Sequence, residues 1–273
     1  MRVHLSTQRR GPRLGVTRTC ALIVLAGLMW FSSSTEAHKP ITSKFTYNTE
    51  VFPVFLNRCS HCHVSGGVGP MSLVTYEDAF PWAESLRAEL LEAGSAPVGS
   101  DDDDFLRTAH RELSARELDI VLDWAVGGTP EGNGPKPPPV MLKNDWAGSK
   151  PDVVLPLAAA FTMPADLMEL TQEFVLPTHL DRPREISAVD LLPGTPAVVR
   201  DATIAARTAD GSLQNLCTWF PRQVPAATAL KPGTLLPAGA EVVARIHYKK
   251  TWKYEGQALT DRSFIGLYLV VGR

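Results

Sequence analysis

Cys59 and Cys62 stand two residues apart and His63 follows at once, in the run Cys59-Ser-His-Cys-His63. On a helical backbone this spacing places the two thiols one turn apart, with the imidazole beside the second. Thiols so placed can each form a thioether with a vinyl group of one haem, and the imidazole then falls under the iron as proximal ligand. C-x-x-C-H is the attachment signature of c-type haem. Two other chemistries share parts of the pattern. A redox-active C-x-x-C pair normally follows a strand in a βαβ unit, which is missing around these residues. A zinc site needs a second Cys/His pair at suitable spacing, and the chain has none. The expected cofactor is therefore one covalent haem c, attached at Cys59 and Cys62 and ligated by His63. His61, inside the motif, is expected to point away from iron.

Helices must hold this motif. The apolar spacing before it predicts a helix over 50–58, with Val51, Val54, Phe55 and Cys59 near one face and Asn48 or Thr49 as cap. Pro53 fits only in its first turn. A second helix is expected from about Thr75 to Ala93, with Phe80, Ala83, Leu86, Leu90 and Leu91 on one side and Pro81 delaying or bending its start. The third has the clearest signal: Ser114 as N-cap, Glu117 three residues on as a capping box, and the stripe Leu118, Val121, Leu122 and Ala125. Gly127-Gly128 stops it. Three helices around a small core are the expected content of residues 48–128.

The run Thr129-Pro-Glu-Gly-Asn-Gly-Pro-Lys-Pro-Pro-Pro-Val140 is too rich in proline for helix and reads as a semi-rigid linker. Beyond it the period changes to short β-type runs: Val153–Leu155, Glu173–Leu176, Ile186–Leu192, Ala197–Ala205, Leu213–Phe220, Glu241–Trp252 and Ser263–Val271. The expected fold class is α+β in two domains, a small all-α domain followed by an antiparallel β-sandwich. The boundaries are 1–37 for an export signal, 38–128 for the haem domain, 129–150 for the linker and 151–273 for the sandwich.

The amino terminus carries five arginines and no acid within residues 1–20. The apolar run Ala21–Phe31 follows, then Ser-Ser-Ser-Thr-Glu-Ala37 with small residues at Thr35 and Ala37. These are the parts of a cleaved secretory signal; an uncleaved anchor is the alternative, although the run is short of the roughly 20 residues a bilayer span needs. Cys20 precedes the run and is not placed as a lipoprotein acceptor, and the residues after Arg9-Arg10 fit a twin-arginine signal poorly. Cleavage after Ala37 removes the five arginines and Glu36 and takes the formal charge from −2 to about −6. Neither that charge nor any basic cluster suggests nucleic acid, and no later segment could span a membrane. A periplasmic or otherwise exported location agrees with haem attachment, which takes place outside the cytoplasm. Cys217, left over as an odd cysteine, is expected to be a buried, inert thiol. The Asp101–Asp104 run lacks the spacing and turn glycine of a calcium loop and is expected to be a solvated acidic loop, with docking to a basic redox partner as its functional alternative.

Residues 51–132 resemble the cytochrome c domain that a bacterial family fuses to a copper type II, ascorbate-dependent monooxygenase-like domain. The similarity rests on Val51-Phe-Pro-Val-Phe, Cys59-Ser-His-Cys-His63, Gly69-Pro-Met-Ser-Leu73, Thr75-Tyr-Glu-Asp-Ala-Phe-Pro-Trp82 and Trp124-Ala-Val-Gly-Gly-Thr-Pro-Glu-Gly132. Residues 151–273 resemble the first sandwich of the copper part through Pro151-Asp-Val-Val, Leu192-Pro-Gly-Thr-Pro-Ala-Val-Val199, Leu236-Pro-Ala-Gly-Ala and Asp261-Arg-Ser-Phe-Ile-Gly-Leu-Tyr268. As in small cytochromes c, the Gly-Pro turn implies that the Pro70 carbonyl accepts from the second ring nitrogen of His63, which fixes the tautomer and raises ligand basicity.

The departures carry as much information. Where the family has Met-Pro-Pro-Trp, whose methionine is the natural distal ligand, this chain has Ser95-Ala-Pro-Val-Gly99, so Ala96 stands at the methionine position. His110 is the best-placed substitute, Met71 adjoins Pro70 on the proximal side, and Met141, Met163 and Met168 are expected to pack. The sixth iron position is otherwise open. The copper histidines are replaced as well, by Val199-Arg-Asp201 and by the lone His247 of His247-Tyr-Lys249. Copper monooxygenase activity is therefore not expected, and His247 reads as a packing or hydrogen-bonding strand residue. His38, the residue after the expected cleavage, reads as a disordered terminus. The expected function is haem binding and one-electron transfer to a redox partner protein, as a carrier rather than an enzyme. The alternatives are a haem-based ligand-binding or sensing module with an open sixth site, or a non-catalytic subunit of an oxidoreductase.

Overall fold

Helices come first and strands second. The computed structural model describes residues 40–95, 113–146, 149–207, 211–221 and 227–270. The segment read as an export signal, Ala96, Asp101–Asp104, His110 and His38 lie outside them.

The first helix covers residues 47–59, as wide turns at Tyr47–Val51 and Phe55–Cys59 around a regular turn at Phe52–Val54. Pro53 sits at the start of that middle turn and is exposed, so its missing N–H and its ring cost little. Neither Asn48 nor Thr49 caps the helix; Thr46 holds the N-cap position, and its N–H donates to the Glu50 carboxylate at 2.8 Å. The next donors turn to the distant chain: Tyr47 N–H donates to the Pro130 carbonyl and Asn48 N–H to the Glu131 carbonyl, both at 2.9 Å. This corrects the picture of residues 129–150 as a spacer throughout. Prolines have no N–H to give, but their carbonyls accept, and a helix start needs acceptors. Val140 and Leu142 then pack against the helical core.

The second helix, residues 76–95, takes a tight turn at Phe80–Trp82 where Pro81 enters and becomes regular over Ala83–Ser95. The third, Ala115–Val126, has the full capping box: Ser114 Oγ accepts from Glu117 N–H at 3.2 Å, and Glu117 Oε2 accepts from Ser114 N–H at 2.7 Å. Replacing Ser114 with alanine should cost about 1 kcal/mol, read as a lowered urea midpoint with unchanged slope. The third helix is turned from its expected stripe. Ile120, Val121, Trp124 and Ala125 are buried, while Leu118 and Leu122 are only half-buried. Trp124 decides this orientation: it is 0% exposed, its indole N–H donates to Pro130 at 3.1 Å, and its ring meets Phe55 edge-on at 6.0 Å.

Eleven antiparallel strands follow among the described residues: β1 (Val153–Pro156), β2 (Phe161–Met163), β3 (Glu169–Pro177), β4 (Arg184–Leu192), β5 (Val199–Arg207), β6 (Leu213–Trp219), β7 (Thr228–Ala229), β8 (Leu235–Leu236), β9 (Glu241–Lys249), β10 (Leu259–Asp261) and β11 (Phe264–Leu269). Each of the seven runs expected from sequence contains a strand, although Ala197 and Val198 lie in a turn before β5 and Trp252 lies in a short helical turn after β9. One sheet has the order β1-β11-β4-β7 with β8 also on β4, the other β3-β9-β5-β6, and β10 pairs with β2. Side chains alternate along the strands, and the inward set of both main sheets meets in one apolar core. Leu155, Ile186, Val189, Leu191 and Ile265 come from one sheet, and Ala202, Ile204, Trp219, Val242, Ala244 and Ile246 from the other. This is a sandwich-like arrangement. Cys217 is buried in that core, as is Met163, whereas Met141 is 81% exposed and Met168 also lies at the surface, contrary to the packing expected of them.

The helices have an apolar core of their own, built on Tyr47, Phe55, Leu73 and Trp124. By packing, Ile41–Arg273 nevertheless forms one compact unit. An all-α domain standing apart from the sandwich is not delimited.

Candidate functional site

The first helix ends on the motif. Cys59 is its last residue, and Cys62 N–H (3.2 Å) and His63 N–H (2.9 Å) both donate back to the Cys59 carbonyl, which winds the motif into a helical turn. Cys59, Cys62 and His63 line one cavity of about 450 Å³, within the range of small-molecule and cofactor pockets. Trp82, Leu86 and Leu90 of the second helix form another part of its wall, with Met71, Leu73 and Leu113 between. This explains why Leu86 and Leu90 are only half-buried although they face inward: the side they were expected to cover is the cavity.

Enclosure by these walls sets the ionisation of the motif. Burial pushes the Cys59 thiol up to about 12, with the neighbouring Cys62 adding to it, and burial pushes Cys62 up to about 11. Both are neutral thiols at physiological pH. Burial lowers His63 to about 4, against the opposing pull of its carbonyl partner, so the ring is a neutral imidazole as a metal ligand must be. That partner is the Met71 carbonyl, at 3.1 Å from Nδ1. The expectation for Pro70 is corrected by one residue: Pro70 lines the cavity, but the loop turns so that the next carbonyl meets the ring. With the proton on Nδ1, the lone pair stays on Nε2. Gly69 makes the approach possible, since a Cβ there would lie 2.9 Å from Nδ1 and 2.7 Å from the Cys62 carbonyl oxygen. His61 also reaches the cavity edge.

Only Met71 among the cavity-lining described residues carries a thioether; the second helix contributes Trp82, Ser85, Leu86, Glu89 and Leu90. The distal candidate His110, and Ala96 at the position of the family's methionine, lie outside the described residues. Two lining residues come from the far part of the chain, Arg200 at the start of β5 and Trp252 in the loop after β9. Sequence reading did not place them here. Its one signal was the altered text Val199-Arg-Asp201.

His247 sits elsewhere, on β9 between two neighbouring strands. Its Nδ1 meets Asp201 on β5 and its Nε2 meets Glu169 on β3, both at 2.8 Å, while Lys249 holds the other Glu169 oxygen at 2.9 Å. Arg245 and Thr203 border the same open pocket. Asp201 above all lifts the His247 pKa over its ordinary value, against partial burial and with help from Glu169. A raised pKa stabilises the fold fully below the unfolded value near 6.5, and this stabilisation is lost as pH rises through the folded value. The urea midpoint of the wild type should therefore fall, by about 1 kcal/mol in stability, from pH 6 towards alkaline pH relative to His247→Gln. Parallel curves for the two proteins would refute the bridging role. Among the described residues no group of three or more His, Cys, Asp or Glu side chains is arranged to hold a metal ion.

No family model matches the chain. No curated protein matches it either. Among solved structures, a Bacteroides thetaiotaomicron protein described as an α-L-fucosidase aligns with 60% of this chain and 28% of its own length, at 9% identity and a TM-score of 0.24. Procruciferin, an 11S globulin from Brassica napus, aligns with 66% of this chain and 42% of its own, at 13% identity and a TM-score of 0.11. The chain thus spans little more than a quarter of the first structure. Both scores are too low to transfer a fold or an activity.

Proposed function

We propose that this chain is an exported monohaem c-type cytochrome that carries single electrons, with residues 1–37 as export signal and the helices up to residue 128 as its cytochrome c-like haem domain. One observation carries the reading: two neutral thiols one turn apart and a neutral imidazole with its Nε2 lone pair available share the wall of one largely apolar cavity. These residues fit a covalent haem. Cys59 and Cys62 would each add S–H across one vinyl group, with no net oxidation, and His63 would ligate the iron through Nε2. When bound, haem supplies a reversible one-electron couple.

The chain's own residues then tune that couple. The Met71 carbonyl keeps the proton on Nδ1 and so strengthens the imidazole as donor. Trp82, Leu86 and Leu90 would supply apolar contact to the haem from the second helix. A redox partner protein would receive or supply the electron.

A second reading, a haem-based ligand-binding or sensing module, is favoured by that second-helix wall, whose lining side chains (Trp82, Ser85, Leu86, Glu89 and Leu90) include neither methionine nor histidine. The deciding experiment is periplasmic expression with the maturation machinery, followed by intact mass and optical spectra with and without carbon monoxide. One covalent haem and a low-spin spectrum indifferent to carbon monoxide support the carrier. A carbon monoxide shift supports the open-site module. A mass without haem overturns both.

A further inference from the structure

The cavity that holds the C-x-x-C-H motif is apolar over most of its wall and carries two arginines, Arg58 and Arg200, against one acid, Glu89. Arg58 precedes Cys59 and is engaged by Glu117, Nε to Oε1 at 3.0 Å and a second nitrogen to Oε2 at 3.4 Å. Arg200 arrives from β5 by a different device. In the pairing of β5 with β9, Val199 stands opposite Tyr248 and Asp201 opposite His247, so Arg200 is the extra residue of a β-bulge. A bulge bends its strand and re-aims a side chain, and here the re-aimed guanidinium reaches the cavity wall. Its charge acts on both Cys62 and His63. The adjacent carboxylate, Asp201, is held on the other side of the strand by His247 at 2.8 Å. Trp252, 60% exposed, brings a second sandwich residue to the same cavity.

A haem brings two propionate carboxylates into such a cavity, and a planar guanidinium binds a carboxylate through two parallel hydrogen bonds. We propose that Arg200 is a propionate partner of the haem, so that the sandwich completes the haem site and its bulge raises the reduction potential. The inference rests on the haem reading. A fixed positive charge at the haem edge opposes the further positive charge of the oxidised iron, and so favours the reduced state.

The test uses the matured full-length protein. Spectroelectrochemical titration should give Arg200→Gln a lower midpoint potential than wild type, Arg200→Lys a potential close to wild type, and Arg245→Gln, which removes a charge from the same sheet away from the cavity, no change. A haem-loaded Arg200→Gln with the wild-type potential, or an equal drop in Arg245→Gln, overturns the assignment while leaving the haem reading intact. Absence of covalent haem from the wild type overturns the haem reading itself, and Arg200 falls with it. Should Arg200→Gln not accumulate, resonance Raman of wild type and Arg200→Lys decides. The propionate bending band must shift, because an ammonium cannot reproduce the forked bond; an unchanged band refutes the contact.

Discussion

A Cys59→Ala/Cys62→Ala double variant, expressed with the maturation machinery, should leave denaturing chromatography with no haem attached, where the wild type keeps one. The effect is all-or-none because a thioether survives denaturation and coordination does not. The two thiols share one turn and one cavity, and Cys217, the other described cysteine, is buried in the sandwich core and cannot replace them. His63→Ala separates attachment from ligation: covalent haem with an altered spectrum is expected wherever the variant matures. Haem retained covalently by the double variant would end the attachment reading.

The largest loss of stability should come from Trp124→Ala, about 3–5 kcal/mol. Three contributions coincide in this side chain. It is fully buried, it meets Phe55 edge-on on the helix that carries the motif, and its N–H satisfies the Pro130 carbonyl. Alanine leaves a void between two helices and takes one of its two donors from the Pro130 carbonyl, which keeps only Tyr47 N–H. Chemical denaturation of the matured protein should show a midpoint far below wild type, and haem yield should fall with it. Trp124→Phe, which keeps the packing and drops the hydrogen bond, should lose about 1–2 kcal/mol. Equal losses from the two variants would mean that the hydrogen bond, not the volume, carries the effect.

What the sequence made legible was local. The capping box at Ser114 and Glu117 needs only three residues of context, and the seven longer strands announce themselves by their own composition and flanking turns. The motif at Cys59–His63 is local too. Features that depend on chain returning from far away were hidden. Nothing near Tyr47 foretells that Pro130 and Glu131 will meet its helix start, so Asn48 and Thr49 looked like the available caps. The rotation of the third helix follows from where Phe55 stands, not from its own periodicity. Sheet register hid the rest: only the pairing of β9 with both β3 and β5 brings Glu169 and Asp201 to His247, and only a one-residue slip in it presents Arg200 to the cavity. The Pro70–Met71 difference is smaller in kind, a shift of one residue in which carbonyl meets the His63 ring.

The borrowed acceptors at the start of the first helix have a consequence for the order of events during biosynthesis. Asn48 also donates from its side chain to the Gly132 carbonyl, 84 residues further on. If the chain is exported as proposed, threading from its amino terminus exposes Cys59 and Cys62 well before Pro130 and Glu131 emerge. Until then the helix lacks the partners for its first donors and the core lacks Trp124, and a short isolated helix is marginal in water. The thiols therefore pass through an interval as unstructured peptide, open to any enzyme that must grip both. Arrival of the proline-rich run ends that interval: on the proposed haem reading, the segment that looks like a tether would act as the clasp that sets the time for attachment.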